Sequence, residues 1–130
     1  MMRGWIAFLA VLGLTALASA QQTVRVGLFE SALPQSVQVT TLAGAHEWVD
    51  AQGEVIAPLR LKQVVSTAGE RLQLGDRLLD YVYLRPTVPQ SRVQLRATGK
   101  YPTVHTGRIH FLMESGRIRC VLEAELESYL

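Results

Sequence analysis

Arg108-Ile-His-Phe-Leu-Met-Glu-Ser-Gly-Arg-Ile-Arg-Cys-Val-Leu122 is the stretch that decides the fold class. Ile109-His-Phe111 and Ile118-Arg-Cys120 alternate apolar with other residues, the period of a strand with one buried face. Glu114-Ser-Gly116 between them reads as a hairpin turn, because glycine enters the positive-φ region at no steric cost. The same period recurs upstream in Val24-Arg-Val-Gly-Leu28, Val37-Gln-Val39, Leu59-Arg-Leu61, Leu72-Gln-Leu74, Tyr81-Val-Tyr83 and Val93-Gln-Leu95. Gly44, Gly53, Gly69, Gly75, Gly99 and Gly116 punctuate these runs at strand-plus-turn spacing. Asp50-Ala-Gln-Gly53 is a second hairpin signal, and Pro86 and Pro89 frame a loop. The segment from Leu79 to Gln90 is the least organised. The expectation is a mainly β, single-domain protein built of antiparallel hairpins.

Downstream of Leu122 the pattern changes. Glu-Ala-Glu-Leu-Glu-Ser-Tyr-Leu130 favours helix formers, with Leu122, Leu126 and Leu130 at i, i+4 and i+8. This predicts a strand ending near Leu122 and a short C-terminal helix stub beginning near Leu126. Glu123, Glu125 and Glu127 suit a solvated helix start, where the dipole favours negative charge.

Residues 1–20 carry a different signal. Arg3 precedes an apolar run from Trp5 to Leu17, and Ala18-Ser-Ala20 has the small-x-small pattern of a signal-peptidase site. The run of 13 residues falls short of the roughly 20 that span a bilayer. The expectation is therefore an exported chain, 21–130, in the periplasmic or cell-wall space, with no transmembrane segment after cleavage. That chain holds 12 of the 13 Lys/Arg against 11 Asp/Glu, a balance that argues against nucleic acid as a partner. Cys120 is the single cysteine and sits among apolar neighbours, which suits a small core residue.

Chemistry-bearing patterns are few. His46, His105 and His110 lack metal-ligand spacing, so no metal or other cofactor is implied. No nucleophile elbow, phosphate loop or nucleotide fingerprint occurs. Arg60 and Lys62, Arg92 and Arg96, and Arg117 and Arg119 each share strand parity, so a cationic sheet face is one reading and a plain solvent face the other. Trp48, Tyr81, Tyr83 and Tyr101 could stack on sugar rings or pack across strands. Arg117, Arg119 and Tyr101 are the glycan-binding candidates.

The order of segments resembles the SpoIID/LytB family, that is, stage II sporulation protein D and the amidase enhancers. Val24-Arg-Val-Gly-Leu28 after a signal peptide is similar to that family's opening strand. Thr106-Gly-Arg-Ile-His-Phe-Leu112, then Gly116-Arg-Ile-Arg-Cys-Val121, then Leu126-Glu-Ser-Tyr-Leu130 is similar to its run of two strands leading into a helix opening L-E-x-Y-L. Gly107, Leu126, Glu127, Tyr129 and Leu130 match motif positions that the resemblance makes structural. Leu122 stands where the family commonly has Asn. The resemblance places the catalytic Glu of lytic-transglycosylase members in a Gly-Val segment after L-E-x-Y-L, and this sequence ends at Leu130.

What the resemblance implies is an exported, wall-associated protein linked to peptidoglycan remodelling. It implies the N-terminal β part of an α+β domain, not catalytic by itself, with peptidoglycan glycan strands or a wall amidase as partner. The alternatives are a free-standing glycan- or protein-binding β module and a non-functional gene fragment.

Overall fold

The computed structural model describes residues 22–125. The signal-peptide segment, and Leu126, Glu127, Tyr129 and Leu130 of the expected helix stub, lie outside the described residues. Twelve strands follow one another: β1 (Thr23–Leu28), β2 (Ser36–Ala43), β3 (His46–Asp50), β4 (Val55–Pro58), β5 (Lys62–Ala68), β6 (Arg71–Leu74), β7 (Arg77–Leu79), β8 (Tyr81–Pro86), β9 (Arg92–Ala97), β10 (Thr103–His105), β11 (Arg108–Glu114) and β12 (Arg117–Glu125). They form two antiparallel six-stranded sheets, ordered β1-β12-β11-β8-β3-β4 and β10-β9-β2-β5-β6-β7. The protein is thus all-β over the described residues.

The quoted hairpin folds as its sequence demands. Glu114 pairs with Arg117, and the two turn residues Ser115 and Gly116 both take positive φ, 53° and 77°. That geometry matches the right-handed twist of the flanking strands. Even-numbered residues of β12, Ile118, Cys120, Leu122 and Ala124, face inward and are buried. At the Asp50 turn the carboxylate does the work: Asp50 Oδ1 accepts from the Gln52 and Glu54 amides, each at 2.9 Å.

Inward-facing residues of both sheets share one core, including Val37, Val39 and Val65 from the second sheet and Trp48, Leu84, Ile109 and Phe111 from the first. Trp48 is fully buried, packs its ring 5.7 Å from that of Phe111, and donates its indole N–H to Gln63 Oε1 of β5 at 2.9 Å. It ties the two sheets together through both contact area and a hydrogen bond.

Four features depart from the sequence expectations. Leu59-Arg-Leu61 is no strand but the link between β4 and β5, with Leu61 74% exposed; Pro58 ends β4 and cannot donate to a continued ladder. The segment from Leu79 to Gln90 contains β8, an interior strand of the first sheet. Pro86 is tolerated there because it is the last residue of that strand. Finally, β12 runs to Glu125, past the expected end at Leu122, because β1 pairs along it from Leu28–Cys120 to Thr23–Glu125. Glu123 and Glu125 are therefore strand residues, not a helix start.

His46 is the anomaly of the interior. It is 3% exposed, and neither ring nitrogen has a hydrogen-bond partner. Burial alone holds its pKa below the ordinary 6.5. Below that pH the unfolded chain takes up a proton that the folded chain resists. The contribution of His46 to stability is thus complete above about pH 6.5 and declines as pH falls from there towards the lowered folded value. His46→Leu should raise stability by about 1 kcal/mol by removing an unpaired buried polar group. It should also flatten the loss of stability between about pH 6.5 and 5, apart from the share of His105, which burial lowers likewise. Urea midpoints of both proteins across that range check this; a variant retaining the full acid sensitivity of the parent would contradict it.

Candidate functional site

The two solvent faces differ in chemistry. On the first sheet, β8, β11 and β12 bring Tyr81, Tyr83, His110 and Glu123 together, because Tyr83 lies opposite His110, and His110 and Glu123 occupy outward positions on adjacent strands. His110 Nε2 lies 2.8 Å from Glu123 Oε1, and Tyr81 Oη bonds the other ring nitrogen, Nδ1. An ionised Glu123 can only accept, so the neutral ring donates from Nε2, and the Tyr81 hydroxyl donates to Nδ1. Arg25 stands 3.8 Å from Glu123 Oε2, and the Arg108 guanidinium lies 5.9 Å from the Tyr83 ring centroid.

This array has the hydrogen-bond order of an acid–base relay at rest, with an ionised carboxylate, an imidazole and a protonated hydroxyl in line. The His110 hydrogen bond holds the Glu123 carboxyl below its usual range, with Arg25 adding to the effect. Burial, then Tyr83, pushes the Tyr81 phenol up. At neutral pH Glu123 therefore has no proton to give and Tyr81 keeps its own. The sequence reading of Glu123 as a solvated helix-start carboxylate gives way to a partly buried strand residue whose bonds are satisfied.

Arg117 and Arg119 extend from the same face at the β11–β12 turn. Arg119 donates from Nε and Nη2 to Glu114, each at 2.8 Å, and from Nη1 to both oxygens of Glu30 at 2.9 Å. Its charge is matched twice over, and most of its donors are occupied. Arg117 reaches the Leu33 carbonyl at 3.3 Å. Tyr101 is on the other sheet, in the β9–β10 connection, and is 90% exposed. The three glycan candidates thus do not form one site.

Lys100, the sequence neighbour of Tyr101, lines the outer face of the second sheet. The register aligns Val104, Gln94, Thr40 and Lys62 in one row, Arg96, Gln38 and Val64 in the next, and Ser36, Ser66, Gln73 and Leu78 alongside. No strand residue on this face is a carboxylate. Among the described residues Arg92, Arg96, Lys62 and Lys100 make no ion pair. Two adjoining shallow depressions of about 400 and 390 Å³ share Val64 as a wall. Ser36, Gln38, Arg96 and Lys100 line the first, and Ser66 and Gln73 the second. Lys100 N donates to Ala97 O at 3.0 Å, closing the tight turn that places Lys100 at the end of this strip, with Tyr101 next in the chain.

Arg96 was visible in the sequence as the partner in parity of Arg92. Gln38, Ser66, Gln73 and Lys100 were not singled out; the available signal was the polar alternation in Ser36-Val-Gln-Val-Thr40 and Arg92-Val-Gln-Leu-Arg96. Cys120 is buried, and burial pushes its thiol up to about 12, so it is an inert core residue. No group of three or more metal-ligating side chains occurs among the described residues, and no helix there is long and apolar enough to cross a membrane.

No protein-family model, curated protein or solved structure matches this chain significantly. The fold and its faces define a class on their own terms: an all-β, two-sheet domain with an open amide- and cation-lined sheet face and a separate, internally satisfied Tyr-His-Glu network.

Proposed function

We propose that this protein is exported and acts at the cell wall as a non-catalytic glycan-binding module of the SpoIID/LytB kind, holding peptidoglycan strands on the outer face of β9, β2, β5 and β6. The observation that carries this reading is the strip itself. Gln38, Gln73, Gln94, Ser36 and Ser66 offer amides and hydroxyls suited to sugar hydroxyl and N-acetyl groups. Arg96 and Lys100 offer cations unopposed by any carboxylate on that face. Tyr101 presents a nearly bare ring of the kind that stacks on a sugar. An elongated, open face fits a polymer, which must pass through, better than a small molecule, which is usually enclosed.

Retention of the 21–130 chain on purified peptidoglycan tests this. Retention is expected at low salt and should weaken as salt screens Arg96 and Lys100. Tyr101→Ala should weaken it at least fivefold, the loss for an anchoring aromatic worth about 1 kcal/mol or more. Arg96→Glu should weaken it further, while Arg119→Ala should leave it unchanged. The suspension should release no soluble muropeptides. No retention at low salt, or retention indifferent to Tyr101 and Arg96, would end this reading.

A further inference from the structure

One end of the molecule carries a second surface, of different chemistry from the sheet faces. Three stretches meet there: residues 41–45 at the end of β2 and its link to β3, 59–62 from the β4–β5 link into β5, and 87–92 from the β8–β9 link into β9. They are bound to one another. Thr41 N donates to Leu61 O at 2.9 Å and Thr41 Oγ1 to Arg60 O at 3.2 Å. Ser91 Oγ accepts from Ala45 N at 3.1 Å and donates towards Val88 O at 2.8 Å. Thr87 N donates to Ala45 O, and Leu59 N to His46 O, both at 2.9 Å.

This scaffold holds apolar side chains out in water. Leu61 is 74% exposed, Val88 45% and Leu42 43%, one from each stretch. Single exposed apolar residues are ordinary, but these three stand on stretches that hydrogen bonds tie together at one end of the fold. The same three segments contain Arg60, Lys62 and Arg92, all exposed, and no Asp or Glu. Among the described residues none of these three cations has an ion-pair partner. Apolar tips ringed by unmatched cations combine the two terms that hold a protein on a lipid surface: burial of apolar side chains at the acyl boundary and attraction to anionic headgroups.

We propose that this loop end docks on an anionic phospholipid bilayer, with Leu61, Val88 and Leu42 entering the interface and Arg60, Lys62 and Arg92 contacting headgroup phosphates. Such docking would engage Lys62 and Arg92 at one end of the outer face of the second sheet, leaving Gln38, Ser66, Gln73, Arg96 and Lys100 clear of the bilayer. It does not depend on that strip being functional.

The test uses the exported chain, 21–130, which contains both sheets and every residue of the described core. It is mixed with vesicles of phosphatidylcholine alone or of phosphatidylcholine with phosphatidylglycerol. Co-sedimentation is expected with the anionic vesicles only, and should decline with salt. Leu61→Trp should show a blue-shifted emission on those vesicles, quenched by lipids brominated in the acyl chain; Trp48, the other tryptophan in 21–130, is already buried and supplies a constant background. Leu61→Asp should reduce binding at least tenfold, and Arg60→Ala and Arg92→Ala about fivefold each. Leu61 is exposed, so its variants should keep the parental circular dichroism. Failure to co-sediment at low salt would overturn the proposal. So would binding indifferent to Leu61→Asp, or a Leu61→Trp emission unmoved by lipid, since either would reduce the contact to charge adsorption. Loss of glycan retention by Tyr101→Ala with vesicle binding intact would separate the two surfaces.

Discussion

Trp48→Ala is expected to cost about 4 kcal/mol of stability, the range for deleting a fully buried aromatic side chain that the surroundings cannot refill. A domain of this size has only about 5–15 kcal/mol in total. Trp48 reaches from β3 of one sheet to Phe111 on one side and to Gln63 of the opposite sheet on the other. Its removal opens a cavity at the junction of the sheets and leaves Gln63 Oε1 with the Arg60 amide as its remaining partner, at 2.9 Å. The urea midpoint should fall by about 2 M, given a slope of roughly 1–3 kcal/mol per molar for a small protein. Trp48→Phe keeps much of the volume and should lose about half as much. A midpoint for Trp48→Ala within the error of the parent would show that the sheets are held together elsewhere.

Gly107→Ala is expected to destabilise the protein by about 3 kcal/mol. Gly107 has φ 104°, outside the left-handed region that other residues occasionally visit, and such strain costs on the order of 1–3 kcal/mol by itself. A Cβ there would stand 2.6 Å from the Glu123 carbonyl oxygen and 3.2 Å from Ala124 Cβ, and the carbonyl belongs to the β12 ladder and cannot swing away. Gly116 is the internal control. Its φ of 77° is positive too but nearer the left-handed region, and nothing lies within 4 Å of its added Cβ, so Gly116→Ala should cost about 1 kcal/mol. Thermal melts of both variants distinguish them. Equal losses would mean that the close approach of Gly107 to β12 is not what selects glycine.

That glycine also illustrates what the sequence could disclose. Gly107 drew notice as a motif position, but the reason, a backbone passing against Glu123 and Ala124, exists only once β12 lies beside it. The long hairpin and β1, β2, β6 and β9 were legible because each alternates cleanly with one face on the core. β5 was not, since Lys62, Gln63, Ser66 and Thr67 dilute its period and only Val65 is fully buried. β3 was hidden by a bulge after Trp48, which buries two successive residues, Trp48 and Val49. The reverse error came from Leu59-Arg-Leu61, where alternation is real but no partner strand receives it. Glu123 and Glu125 sit in a run of helix formers, yet pairing with β1 at both and with β11 at Glu123 outweighs so weak a local preference.

The candidate surfaces were harder to see for the same reason. Arg96, Gln38 and Val64 become one row only through the register of three strands distant in sequence. Conversely, Arg117 and Arg119 look like a free cationic pair until Glu30, far along the chain, is found against Arg119. Parity of charges along one strand indicates a shared face; it does not tell whether a carboxylate from elsewhere already occupies that face.

The glycan-binding surface we propose is the outer face of the second sheet. Its most direct test is a titration of the ¹⁵N-labelled 21–130 chain with solubilised peptidoglycan strands freed of their stem peptides, followed through backbone amide shifts. Shifts should concentrate at Gln38, Ser66, Gln73, Arg96, Lys100 and Tyr101 and leave Tyr81, His110, Arg117 and Arg119 unmoved. Shifts confined to the face that carries Tyr81, His110 and Arg119, or no shifts at all, would contradict it.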